Sequence, residues 1–171
     1  MKSSEKTRSS AEINEHVEQE RKRFQVNCGH LPQELTFVEG EEILAEVYLT
    51  LLGIWRTKMY VVGGTYAEAA AYIDGIKAGL TFNKNTQAFD AFLGSGFDEW
   101  LADRFGTARN VAWSVPIRNA FPDEAEAIVQ IPILFSRYLH ELRTGLWSRE
   151  DGPVKKRKAR KVTKGGKRDD A

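Results

Sequence analysis

Apolar residues recur at helical spacing along most of this chain, and the recurrences divide it into amphipathic segments. The clearest covers residues 41–52, where Ile43, Leu44, Val47, Tyr48, Leu51 and Leu52 form one continuous stripe. Glu41, Glu42 and Glu46 lie in its first half, where negative charge complements the helix dipole, and Gly53 ends it. Ile54 and Trp55 then lead into the unit around which the chain is organised. Lys58-Met59-Tyr60-Val61-Val62 suits an extended segment, and Gly63-Gly64 suits a corner. Thr65 and Glu68 have the spacing of a capping box. Tyr66, Ala69, Ala70, Ile73 and Leu80 share the face of the helix that follows, with Gly79 as its expected stop.

Upstream, Ser9 and Glu12 again have capping-box spacing, and Ile13, Val17 and Phe24 make a thin stripe on a charged helix ending near Gln25. Residues 26–38, with Gly29 and Pro32, read as a connection. Downstream, residues 83–87 form a polar loop with Thr86 as an N-cap. Phe89, Phe92, Leu93, Phe97, Trp100, Leu101 and Phe105 then keep a helical period to Gly106. Gly94 and Gly96 interrupt it, which predicts one kinked helix or two short ones. Residues 109–121 leave a helical turn, an irregular buried arm and a strand open, because Pro116 disfavours helix at Val115. A last long helix starts at an Asp123 cap, with Ala125, Ile128, Val129, Phe135, Leu139 and Leu142 on one face and Ile131, Leu134 and Tyr138 widening it. Pro132 predicts a kink there, Gly145 a stop, and Leu146 and Trp147 a return onto the body.

These segments predict a mainly α fold, or α+β with at most a small sheet. The domain spans residues 9–149, between a disordered stretch at 1–8 and a disordered basic tail at 150–171. A length of 171 residues and 42% hydrophobic content support one domain with a real core. No apolar run approaches the roughly 20 residues that cross a bilayer. The polar first twenty residues lack a secretory apolar region, and Cys28 is the only cysteine. A reducing cytoplasm is therefore the expected location, with no membrane partner.

The net charge of +1 hides an asymmetry. Residues 153–171 hold Lys155, Lys156, Arg157, Lys158, Arg160, Lys161, Lys164, Lys167 and Arg168 against Asp169 and Asp170, so this part carries +7 and the remainder −6. The nine cations could hold a polyanion through counterion release, and the absence of interleaved aromatics argues against base stacking. A second, smaller candidate is an anion or partner contact at Arg56, Lys58, Gly63, Gly64 and Thr65, where backbone N–H groups meet a helix start; a plain turn and cap is the simpler reading.

Other chemistry is sparse. His16, His30 and His140 make no metal spacing, and Cys28-Gly29-His30 lacks further ligands. His140-Glu141 is followed by Thr144 where a zinc helix needs its second histidine. Gly94-Ser95-Gly96 lacks the leading glycine of a nucleophile elbow. Asp98-Glu99 and Asp123-Glu124 are expected on solvated faces and caps. No catalytic residue, metal ligand or cofactor site is assigned.

Residues 56–64, RTKMYVVGG, resemble the R-P-x-M-Y-(L/I)-G opening of small bacterial proteins with an immunity or antitoxin character. Phe97-Asp98-Glu99-Trp100-Leu101, the segment from Trp113 to Ile117 and the acid-capped helix from Asp123 match the later features of that group, so the resemblance covers roughly residues 42–143. Thr57 replaces the expected proline, and the spacing to Gly63 is one residue longer. The resemblance implies a non-enzymatic bacterial protein that binds and neutralises or regulates a protein partner, a basic one where the acidic domain sets the match. The alternative is a nucleic-acid accessory protein acting through its tail.

Overall fold

The computed structural model describes residues 9–31, 34–56, 64–82, 96–149 and 152–153. Helix α1 (Ser10–Asn27) opens on the reciprocal Ser9–Glu12 capping box, the Ser9 N–H donating to the Glu12 carboxylate at 2.8 Å. Ile13, Val17 and Phe24 are buried as their spacing predicts, and so are Glu20 and Arg21. Helix α2 (Glu42–Gly53) buries Leu44, Ala45, Val47, Tyr48, Leu49, Leu51 and Leu52, a wider surface than the stripe alone. The chain then tightens into a 3₁₀ turn, Ile54–Arg56, where the pattern suggested a direct lead into extended chain.

Helix α3 (Tyr66–Phe82) starts at the Thr65–Glu68 capping box, the Glu68 N–H donating to Thr65 Oγ1 at 3.3 Å. It runs through Gly75 and on past Gly79, so Gly79 is not its stop. Helix α4 (Gly96–Phe105) carries the second half of the aromatic run and ends at Gly106, whose φ is +66°. The extended unit at 58–62, the Thr86 cap, Phe89, Phe92, Leu93 and most of the tail lie outside the described residues.

Residues 114–120 resolve the three-way alternative as a helix, α5 (Ser114–Ala120). Pro116 occupies its third position, where an amide has no intrahelical acceptor to lose. Helix α6 (Glu124–Arg143) begins with Asp123 accepting from the Glu126 N–H at 2.8 Å and continues through the buried Pro132. Its inner face holds Ala127, Ile128, Ile131, Leu134, Phe135, Tyr138 and Leu139; Ala125 and Leu142 are exposed. At its end the Gly145 N–H bonds the Leu142 carbonyl and the Leu146 N–H bonds the Glu141 carbonyl, with Gly145 at φ +68°, which is a Schellman closure.

Helix α6 is the hub, touching α2, α3, α4 and α5, while α1 packs chiefly on α2. Trp147 folds back into the core, whereas Leu146 remains 55% exposed. Strand β1 (Trp147–Ser148) pairs antiparallel with β2 (Gly152–Pro153), Trp147 opposite Pro153. The fold is thus one mainly α domain with a two-residue ladder that includes Gly152 and Pro153.

Candidate partner-binding surface

The anion site expected at the start of α3 is filled by the chain's own carboxylates. The Thr65 N–H donates to Glu68 at 3.2 Å, and the Tyr66 N–H donates to Glu124, which also takes the Arg118 guanidinium at 2.7 Å. Arg56 is turned away from that helix start, pairing with the buried Glu20 of α1 and lying over the Trp55 ring at 5.7 Å. Lys58, Gly63 and the tail cations from Lys155 to Arg168 lie outside the described residues, so the structure brings together only Gly64 and Thr65 of this group.

The aromatic segment serves the core. Phe97 meets Phe135 edge to face at 5.5 Å and Tyr138 at a tilt at 5.4 Å, and Tyr138 meets Trp147 at 5.8 Å. Three buried indoles each send their N–H to a carboxylate on a different helix: Trp100 to Glu141 at 2.8 Å, Trp113 to Asp74 at 2.8 Å and Trp147 to Asp103 at 3.1 Å. Asp98 and Glu99, expected on a solvated face, are engaged as well. Glu99 reaches Arg109 and Arg149 at 3.6 and 3.4 Å, and Asp98 sits 3.7 Å from Lys77. Burial pushes the Asp98 carboxyl above its ordinary range, with Lys77 pulling it back and Asp74 and Glu99 adding to the rise. Beside it, Ile73, Lys77, Phe97, Trp113 and Ile131 line a crease that leaves no room for a water molecule. That crease cannot admit a ligand in this arrangement.

Cys28 is a half-buried free thiol whose pKa is pushed up by burial, the opposite of an activated nucleophile. Among the described residues, no three His, Cys, Asp or Glu side chains gather as a metal site. No described helix is long and apolar enough to cross a membrane.

What the structure does assemble is an acidic edge. Between Arg23 and Arg56 the chain has no lysine or arginine, yet it carries Glu34, Glu39, Glu41, Glu42 and Glu46. Residues 34–38 alternate, Leu35 and Phe37 pointing into the core while Glu34, Thr36 and Val38 face outward. The edge is pinned from two helices. Asn14 of α1 exchanges two hydrogen bonds with the Phe37 backbone, both 2.8 Å. From the end of α6, Arg143 donates to the Thr36 carbonyl at 2.9 Å and to Glu41 at 2.8 Å, its guanidinium 5.3 Å from the Phe37 ring. The Gly40 and Val38 amides donate to Glu42 and Glu41, and backbone donors hold the Glu42 pKa below its usual value. Glu34, Val38, Glu39 and Glu46 remain exposed around this frame.

Sequence reasoning passed over the edge because residues 26–38 read as a connection. Two signals were present: the one-residue alternation of Leu35 and Phe37, and the long gap between basic residues. Comparison of the chain with protein families, with curated proteins and with solved structures finds no match.

Proposed function

We propose that this chain is a non-enzymatic binding protein that uses the acidic edge at residues 34–46 to hold a basic protein partner and so neutralise or regulate it. The observation that supports this reading is the pinning of the edge by Asn14 and Arg143 from opposite sides. A surface already ordered before binding loses little conformational entropy when it docks. Its like-signed carboxylates draw in a basic partner by long-range attraction, which mainly accelerates association. The cytoplasm is the proposed setting, in keeping with the immunity-like resemblance.

The test is a binding experiment on the charge-reversed full chain. The partner is first captured with the wild type, and its association rate is then measured against Glu34→Lys/Glu39→Lys. An association rate reduced about tenfold at low salt, with the difference shrinking as salt rises, is expected. An unchanged rate would sink the acidic-edge reading.

A second reading has its own support. The β1–β2 pairing holds the chain to the body as far as Pro153, two positions before Lys155. The nine cations therefore leave from a fixed point. They would grip a phosphate backbone without sequence preference. A chain ending at Val154 preserves the pairing and removes the cations. Salt-sensitive binding to DNA or RNA that this truncation abolishes would move the function to the tail.

A further inference from the structure

The face that α1 turns inward is unlike the rest of the interior. Ile13, Val17, Glu20, Arg21 and Phe24 share it at helical spacing, so two ionised side chains sit in the middle of the stripe. Among the described residues the other buried side chain of polar type is Ser136, and both buried charges belong to α1. The helix rests chiefly on α2, whereas α6 is touched by four helices.

The two charges are held differently. Arg21 meets Glu18 of its own helix at 2.8 Å, so that pair moves with α1. Glu20 takes Arg23, also of α1, at 2.7 Å, and it takes Arg56 from the 3₁₀ turn that follows α2. Glu20–Arg56 is therefore an ion pair that crosses from α1 to the body. A carboxylate buried this deeply is costly without a cation beside it, and this pair forms only while α1 is seated. Few buried apolar contacts mark the parts of a protein that open ahead of the whole.

We infer that α1 is a latched strap: it opens as a unit from an intact body, and the Glu20–Arg56 pair is the latch that keeps it closed. Opening acts at a distance in sequence. The Phe37 N–H donates to Asn14 Oδ1 and Asn14 Nδ2 donates to the Phe37 carbonyl, both at 2.8 Å, so lifting α1 strips two bonds from the acidic edge. Resting on the binding reading above, the strap sets what fraction of the molecules presents an ordered edge to a partner.

Residue-resolved hydrogen exchange on the full-length chain, with no partner present, tests the strap. Relative to their unfolded rates, the amides of Val17, Arg21 and Phe24 are expected to exchange about a hundredfold faster than those of Phe135 and Leu139 in α6. The Phe37 N–H is expected to share the protection of α1. In Arg56→Gln, α1 and the Phe37 N–H gain about tenfold in exchange rate while α6 keeps its wild-type rate; Arg56 is partly exposed, so the effect falls below that of a fully buried pair. The inference is overturned if α1 exchanges as slowly as α6, if Phe37 stays protected when α1 does not, or if Arg56→Gln leaves α1 unmoved. If Arg56→Gln does not fold, the wild-type comparison of α1, Phe37 and α6 decides. A failure here leaves the acidic-edge reading standing, and a failed Glu34→Lys/Glu39→Lys binding test leaves the strap standing.

Discussion

Carboxylates that look like free surface charges in this sequence accept hydrogen bonds from groups of the core and from helix starts. Asp74, Asp103 and Glu141 each accept an indole N–H from a buried tryptophan, and Glu124 closes the first turn of α3 from the start of α6. Asp98 is the carboxylate whose titration is set by burial. Because burial raises its pKa, the folded state prefers the protonated carboxyl. The stability it contributes is present below the ordinary aspartate value of 3.8 and is lost as pH rises through the folded value. Asp98→Asn mimics the protonated form. It is expected to be more stable than wild type at pH 7 and to lose that advantage near pH 3, as read by urea unfolding at both pH values. An advantage that grows toward low pH would contradict the assignment.

At the scale of elements, two glycines in similar sequence settings have opposite roles. Gly79 lies inside α3 with nothing within 4 Å of the position a Cβ would take. Gly79→Ala is expected to stabilise the protein by about 0.5–1 kcal/mol, the usual helix-interior difference. Gly145 has equal space but sits at φ +68° in the Schellman closure of α6. Gly145→Ala is expected to destabilise by about 1 kcal/mol through backbone strain alone. Thermal unfolding of the two variants separates the roles. A loss in Gly79→Ala would mean that α3 does end there. The sequence offered both glycines as stops, and only the capping geometry distinguishes them.

At the scale of the molecule, the β1–β2 ladder sets Pro153 opposite Trp147, and the domain depends on Trp147 as an inward anchor. A chain ending at Val154 is expected to unfold at the wild-type temperature. A chain ending at Leu146 loses the buried indole and its bond to Asp103, and is expected to lose about 3–5 kcal/mol, the range for deleting a large core aromatic. Equal melting temperatures for the two chains would show that the return of Trp147 contributes nothing. The same boundary separates an acidic body from nine closely spaced cations, so the truncation at Val154 also separates the two functional readings without disturbing the fold.

Local signals determined much of this protein without any tertiary information. The capping boxes at Ser9 and Thr65, the Asp123 cap, the stop at Gly145 and the apolar faces of α2 and α6 are all set within a few residues of one another, so spacing and residue type suffice. The mainly α class follows from them. Tertiary structure decided what depends on residues far apart in sequence. Asn14 meets Phe37 across 23 positions, Arg143 meets Thr36 across 107, and Trp100 meets Glu141 across 41. Those contacts turn an apparent connection into an acidic edge pinned by two helices, and apparent free acids into acceptors for buried indoles. No local pattern encodes them, because a long-range hydrogen bond is specified by where two helices pack, and that packing is chosen by the whole set of buried side chains at once.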